Sequence, residues 1–195
     1  MPAPLRKLIL KNSQCPGDIL MLTAAVRDLH LTHPGMFQTD VRTSSGALWK
    51  HNPYITLLDE GDPEVETIAC RYPPIHQSSR KPYHFIHGFR LFLQAALGVE
   101  IEPYAFHGDV HLSAQEKRWT SHVDEMTQQR GTRFWIIVSG GKTDYTAKWW
   151  EPRRCHEVVD HFRGRIHFVQ CGQVGATHIH PPLCGVIDLV GKTDL

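Results

Sequence analysis

Short apolar runs of strand length alternate along this chain with segments whose apolar residues recur every three or four positions. Residues 5–10 form the first run, and a loop carrying Pro16 and Gly17 follows it. From Asp18 onward, apolar residues at 19, 22, 25, 26 and 29 keep helical spacing until His33, Pro34 and Gly35 stop it. Strand character returns at 38–42, 55–59 and 65–71, and a polar, proline-containing connection covers 72–81. A helix is predicted over 82–97, ended by Gly98. Ser113 and Glu116 then form a capping-box pair, and Trp119, Val123 and Met126 share one face of the helix it predicts, with Gly131 as a left-handed stop. Residues 134–138, all apolar, predict a buried strand that runs into a loop over 139–148. A helix over 152–162 with proline in its first turn, a strand over 166–170 and another over 186–190 complete the pattern.

Strand, helix and strand in repetition imply an α/β fold with parallel sheets. The length of 195 residues lies between one and two domains at about 150 residues each. The strand–loop–helix theme restarts within 112–132, which divides the chain into units 1–112 and 113–195. The second unit offers about three strands where a doubly wound domain has five or six, so it is expected to be the first part of a domain.

Composition narrows the class. Hydrophobic residues make up 41% and charged residues 21%, as in ordinary globular chains. Lys plus Arg is 21 and Asp plus Glu is 20, so a net charge of +1 supplies no global field for nucleic acid or membrane. No apolar stretch is long enough for a bilayer span, and the N-terminal run has no small-residue cleavage site. Five cysteines without a C-x-x-C pair suit a reducing compartment, which points to the cytoplasm.

Two loops at the carboxyl ends of strands are the candidate sites, because parallel sheets bind ligands there. In the first, Asp18 is read either as an N-cap or as a general base held at a crevice. Lys11 is read as holding a substrate anion or tuning that carboxylate, or as a solvated strand end. In the second, Gly140 and Gly141 would let backbone amides approach phosphate, with Lys142 and Lys148 supplying charge. The alternative is an ordinary surface loop. Neither Gly141-Lys142-Thr143 nor Gly191-Lys192-Thr193 has a glycine at the spacing a P-loop requires. Cys171, His178, His180 and Cys184, and the pair His107 and His111, lack the tight spacing of zinc ligands. The Trp149-Trp150 pair is read as helix-packing core.

Lys11 through Gly17-Asp18-Ile19-Leu20 and the helix after it resemble the opening of the family 9 glycosyltransferases, the ADP-heptose:lipopolysaccharide heptosyltransferases. Residues 144–150 with the helix that follows, then Val169-Gln170-Cys171-Gly172, resemble the start of that family's donor domain. Residues 189–195 resemble the segment leading into its donor-nucleotide motifs. The resemblance is specific at 11–30 and 134–195. It implies a GT-B architecture, with a complete Rossmann-like acceptor domain followed by the first part of a donor domain.

It also implies metal-independent, inverting transfer without a cofactor, from a nucleotide sugar such as ADP-heptose to a glycan or protein acceptor. Asp18 matches the catalytic base. Lys148, with Ser139, Gly140, Gly141, Lys142 and Thr143, matches the site of the donor phosphates, and Lys11 and Ser13 lie on the acceptor side. Cytoplasmic assembly of lipopolysaccharide or related glycans is implied, with no nucleic-acid partner and no transmembrane segment; peripheral membrane association stays open. The chain lacks the family's later donor elements, so it is expected to be an N-terminal fragment. A non-catalytic acceptor-binding protein of the same fold is the alternative.

Overall fold

The computed structural model describes residues 4–71, 80, 84–144 and 146–193. It divides into two compact units, residues 1–117 and 118–195. Residues 113–117 belong to the first of these, where the Glu116 carboxylate lies 3.3 Å from His51 Nε2.

In the first unit, β1 (Arg6–Asn12) is the centre of a parallel sheet ordered β2-β1-β3, with β2 spanning Phe37–Thr43 and β3 spanning Val65–Ala69. Leu8, Ile9 and Leu10 are fully buried, so β1 is covered on both faces, as parallel strands usually are. Helix α1 (Pro16–Thr32) follows β1 and packs against α2 (His87–Leu97). Its residues from Met21 to Leu29 are all buried, which exceeds the single stripe that the spacing showed. Arg27 and Asp28 are among them. They pair at 2.8 Å, and the Arg27 guanidinium also donates to the carbonyls of Ala105 and His107. The buried charges are thereby satisfied, and they bind the 105–107 segment to α1. Gly98 takes the left-handed conformation (φ 68°) that ends α2.

Several expectations for this unit are corrected. The strand expected at 55–59 is a single bridge between Thr39 and Ile55. Beyond it the Asp40 carboxylate, rather than a strand backbone, receives the Leu58 N–H. Helix α2 begins at His87 after a turn, and Pro82 and Tyr83 lie outside the described residues. The connection expected over 72–81 also lies outside them, apart from Arg80. The Ser113–Glu116 pair does form both reciprocal hydrogen bonds, but it caps only a short turn at Glu116–Arg118. The helix proper, α3, is His122–Thr127, with Ser121 as its own N-cap and Gln128 as its left-handed end. Of the expected face only Val123 is buried; Trp119 and Met126 are 68% and 58% exposed.

In the second unit, β4 (Phe134–Ile137), β6 (His167–Gln170) and β8 (Ile187–Asp188) form a parallel sheet in that order. Helix α4 (Pro152–His161) joins β4 to β6 and starts on proline as expected. The loop after β4 and the segment before β8 pair as two short antiparallel strands, β5 (Gly141–Lys142) and β7 (His178–Ile179). Strand β4 is not buried. It stands at a sheet edge, and Trp135 and Ile136 are 55% and 64% exposed. The chain is thus α/β with parallel, Rossmann-like sheets, and no helix among the described residues is long and apolar enough to cross a membrane.

Candidate functional site

In the first unit the chain leaves β1 toward β2 and later returns to β3 on the other side. The carboxyl ends of β1 and β3 therefore form a topological switch point, where the outgoing loops part and leave a crevice. A depression of about 480 Å³ lies there, lined by Lys11, Asn12, Ser13, Gln14, Arg42 and Arg71 together with Ala69 and Cys70. Asn12 fixes its floor. Its buried amide accepts from the Gln14 N–H (2.8 Å) and donates to Gln14 Oε1 (2.9 Å) and to the Cys70 carbonyl (3.0 Å). The Cys70 N–H returns to the Lys11 carbonyl. Burial pushes the Cys70 thiol up to about 12, so it is a neutral wall and no nucleophile.

Asp18 is not the N-cap. Cys15 holds that position, Pro16 and Gly17 open the helix, and Asp18 is its third residue. Its carboxylate is half-buried and has no hydrogen bond or ion pair among the described residues. The first turn of a 17-residue helix favours negative charge there. Asp18 does not line the depression itself. Lys11, expected to hold a substrate anion, is ion-paired with Glu60. Ser13 is exposed at the rim.

The loop after β4 is organised differently. Ser139 is buried, and its hydroxyl donates to the Pro181 carbonyl (2.7 Å) while accepting from Gln170 Nε2 (2.7 Å). Gln170, also buried, donates to the same carbonyl and accepts the Leu183 N–H. The two glycines serve close approach within the protein. A Cβ on Gly140 would lie 2.0 Å from the Ile179 carbonyl oxygen, and one on Gly141 would lie 3.2 Å from the Trp149 indole nitrogen. The Thr143 N–H is bonded to the Thr177 carbonyl. Pairing of β5 with β7 thus takes up main-chain groups that the sequence offered to phosphate. Lys142 and Lys148 are both exposed, with Lys148 ending a short turn at Thr146–Lys148.

Of the tryptophan pair, Trp150 is not core: it is 49% exposed beside α4, whereas Trp149 is half-buried. Among the described residues no three His, Cys, Asp or Glu side chains are placed to hold a metal ion. His107 and His111 turn to different partners, the Gly108 carbonyl and the Asp109 carboxylate. Sequence reasoning missed Asn12, Arg42, Arg71 and Gln170. Asn12, two residues before Gln14 at a strand end, carried a legible turn signal; Gln170 was read only within the Val169–Gly172 resemblance, and Arg42 and Arg71 carried no signal.

No protein-family model and no curated protein matches the chain. Solved structures do. The glycosyl transferase family 9 structure from Veillonella parvula DSM 2008 aligns with a TM-score of 0.68 at 14% identity, over 99% of this chain and 71% of its own. The iron-containing dodecameric glycosyltransferase TibC of enterotoxigenic E. coli aligns at 0.62 and 16% identity, over 98% of this chain and 49% of TibC. The E. coli heptosyltransferase WaaC, solved with ADP, aligns at 0.50 and 12%, over 87% of this chain and 67% of WaaC. The likeness to family 9 glycosyltransferases read in the sequence therefore holds in three dimensions as a shared fold. The chain spans between about half and 71% of those proteins' lengths.

Proposed function

We propose that this chain is the acceptor unit and the beginning of the donor unit of a glycosyltransferase of the heptosyltransferase kind. The observation that carries this reading is Asp18: a carboxylate without a partner among the described residues, in the first turn of the helix after β1, in a fold shared with solved glycosyltransferases. Asp18 removes the proton of an acceptor hydroxyl as that oxygen attacks the anomeric carbon of a nucleotide-linked sugar. The new glycosidic bond forms as the bond to the diphosphate breaks, with inversion. The nucleoside diphosphate leaves with the bonding electrons.

Lys148 and Lys142 stabilise that leaving charge. Neither Ser139, whose hydroxyl is used within the protein, nor the Thr143 amide takes part. The donor is ADP-heptose and the acceptor a glycan or protein of the cell envelope, modified on the cytoplasmic side. Positive charge alone carries the leaving group, so the reading needs no resident cofactor. Five free thiols suit that compartment.

The test starts from the intact mass of the native gene product, compared with 22.2 kDa, which fixes the form to assay. Transfer from labelled ADP-heptose is then measured for that product and for Asp18→Asn. A loss of about 10²- to 10⁴-fold in kcat with donor affinity retained is expected. Turnover within about twofold of the parent would remove Asp18 from the chemistry. Acceptor binding with no transfer by the parent would favour the non-catalytic reading.

A further inference from the structure

The connection after α2 stays with the first unit as far as Lys117, and its last stretch is held differently from the rest. Up to His111 its ties survive any change of charge on a histidine. Arg27 donates to the carbonyls of Ala105 and His107, and the Asp109 N–H donates to Thr23 Oγ1 at 2.8 Å. His111 Nε2 lies 2.8 Å from Asp109 Oδ2, and a neutral imidazole carrying its hydrogen on Nε2 keeps that bond.

Residues 113–117 close on themselves instead. Ser113 and Glu116 exchange two hydrogen bonds, and the Lys117 N–H returns to the Ser113 carbonyl. Among the described residues, the ion pair that joins this turn to the rest of the unit is Glu116 Oε2 with His51 Nε2, at 3.3 Å. His51 makes it from a strained backbone. It lies two residues beyond the turn at Gly46–Trp49 and has φ 57°, in the left-handed region that residues with a side chain rarely enter. The next residue, Asn52, is buried, and its amide nitrogen is 3.4 Å from both the carbonyl and the carboxylate of Asp109. One corner, His51-Asn52, therefore meets both parts of the connection.

We propose that His51 is a pH-sensitive clasp that decides where the first unit ends: at Lys117 when its imidazole is protonated, and near His111 when it is neutral. The sign follows from the charges. An imidazolium attracts the Glu116 carboxylate and a neutral imidazole does not. The tie is present at the acid end of the range in which histidine titrates, between about pH 5 and 8, and is lost as pH rises through it. Glu116 keeps its charge over that range, because the Ser113 N–H and hydroxyl, then His51 and Lys50, hold its carboxyl below the usual carboxylate value. Lys50 attracts it at every such pH. Around Asp109 the Arg27–Asp28 pair and the Tyr54 phenol also keep their charge states. The clasp is independent of the transferase reading.

Water-exchange NMR of the 195-residue chain tests this through the Glu116 amide, which donates to Ser113 Oγ. After correction for the intrinsic rate, its protection should fall about threefold between about pH 5.5 and 8, the size expected of a partly exposed ion pair. The Asp109 amide, bonded to Thr23, should change by less than about 1.5-fold. Glu116→Gln keeps the capping bond, since glutamine also serves at that position, and should make the protection independent of pH. His51→Asn, which suits a left-handed residue, should do the same. The proposal is overturned if the parent is equally protected at both pH values, if the dependence survives either substitution, or if the Asp109 amide loses protection in parallel.

Discussion

The loop after β1 and the loop after β4 hold equivalent places, each leaving the carboxyl end of a parallel strand and leading toward a helix, yet they use their polar groups in opposite ways. The first locks itself with one buried amide, Asn12, and leaves Ser13 exposed and the half-buried Asp18 carboxylate without a bond to any described residue. The second turns Ser139, Gln170 and the Thr143 amide inward to hold the 177–183 segment. Their foundations differ too. The first loop stands on one continuous apolar cluster that runs from Leu8 to Ile101 and includes Phe89 and Trp49. The second stands on a small cluster of Val123, Val169 and Leu189. A large apolar core lets a loop keep its polar groups for ligands, whereas a small one recruits them for cohesion.

Substitutions at the two loops should therefore fail in different ways. The largest effect is expected at Asp18: Asp18→Asn should lose about 10²- to 10⁴-fold in transfer while the melting temperature stays within about 2 °C. A matching fall in stability would make Asp18 structural and erase the contrast. Next comes Gln170→Leu, which strands the Leu183 amide and removes the side chain that ties the Ser139 hydroxyl and the Pro181 carbonyl to β6. It should cost about 3 kcal/mol in urea unfolding of the second unit, followed through hydrogen exchange of β6, and leave β1 protection unchanged.

Gly140→Ala is smaller. Its Cβ would meet the Ile179 carbonyl, so β5 and β7 must part, at about 1–3 kcal/mol confined to the same unit. Equal stability would show that the glycine serves a ligand after all. The smallest effect concerns pH in the first unit. Burial lowers the pKa of His30, whose ring bonds Thr39 and stacks on Tyr54 at 5.2 Å. The unfolded chain takes up that proton near 6.5 and the folded one only below it, so stability should fall as pH drops through 6.5. His30→Gln should flatten that slope in urea midpoints taken between about pH 7.5 and 5.5. An unchanged slope would assign the dependence to other groups, His87 first among them.

Asp18 also shows how a site can be legible while its setting is not. Its place after a strand and at a helix start was readable. That Cys15 takes the cap, leaving the carboxylate without a partner among the described residues, was not, because Cys15, Pro16 and Asp18 compete for one helix start. Lys11 was legible as a cation beside the site, but its ion pair with Glu60, 49 residues on, was not. The capping box at Ser113 formed as read, yet the helix it announced is broken into a turn and a six-residue helix. A cap satisfies the first amides of a helix but cannot supply the buried face that sustains one.

The sequence alone determined the order and type of most elements, the start of α4 at its proline, and the α/β class. These follow from spacing within a segment, which any local window contains. Tertiary structure decided which polar groups remain available. Ser139 and Gln170 lie 31 residues apart, and only the parallel pairing of β4 with β6 brings them together. The placement of β4 at an edge was settled in the same way. A run of apolar residues states that a strand wants cover, and the neighbours that provide it are chosen by the sheet.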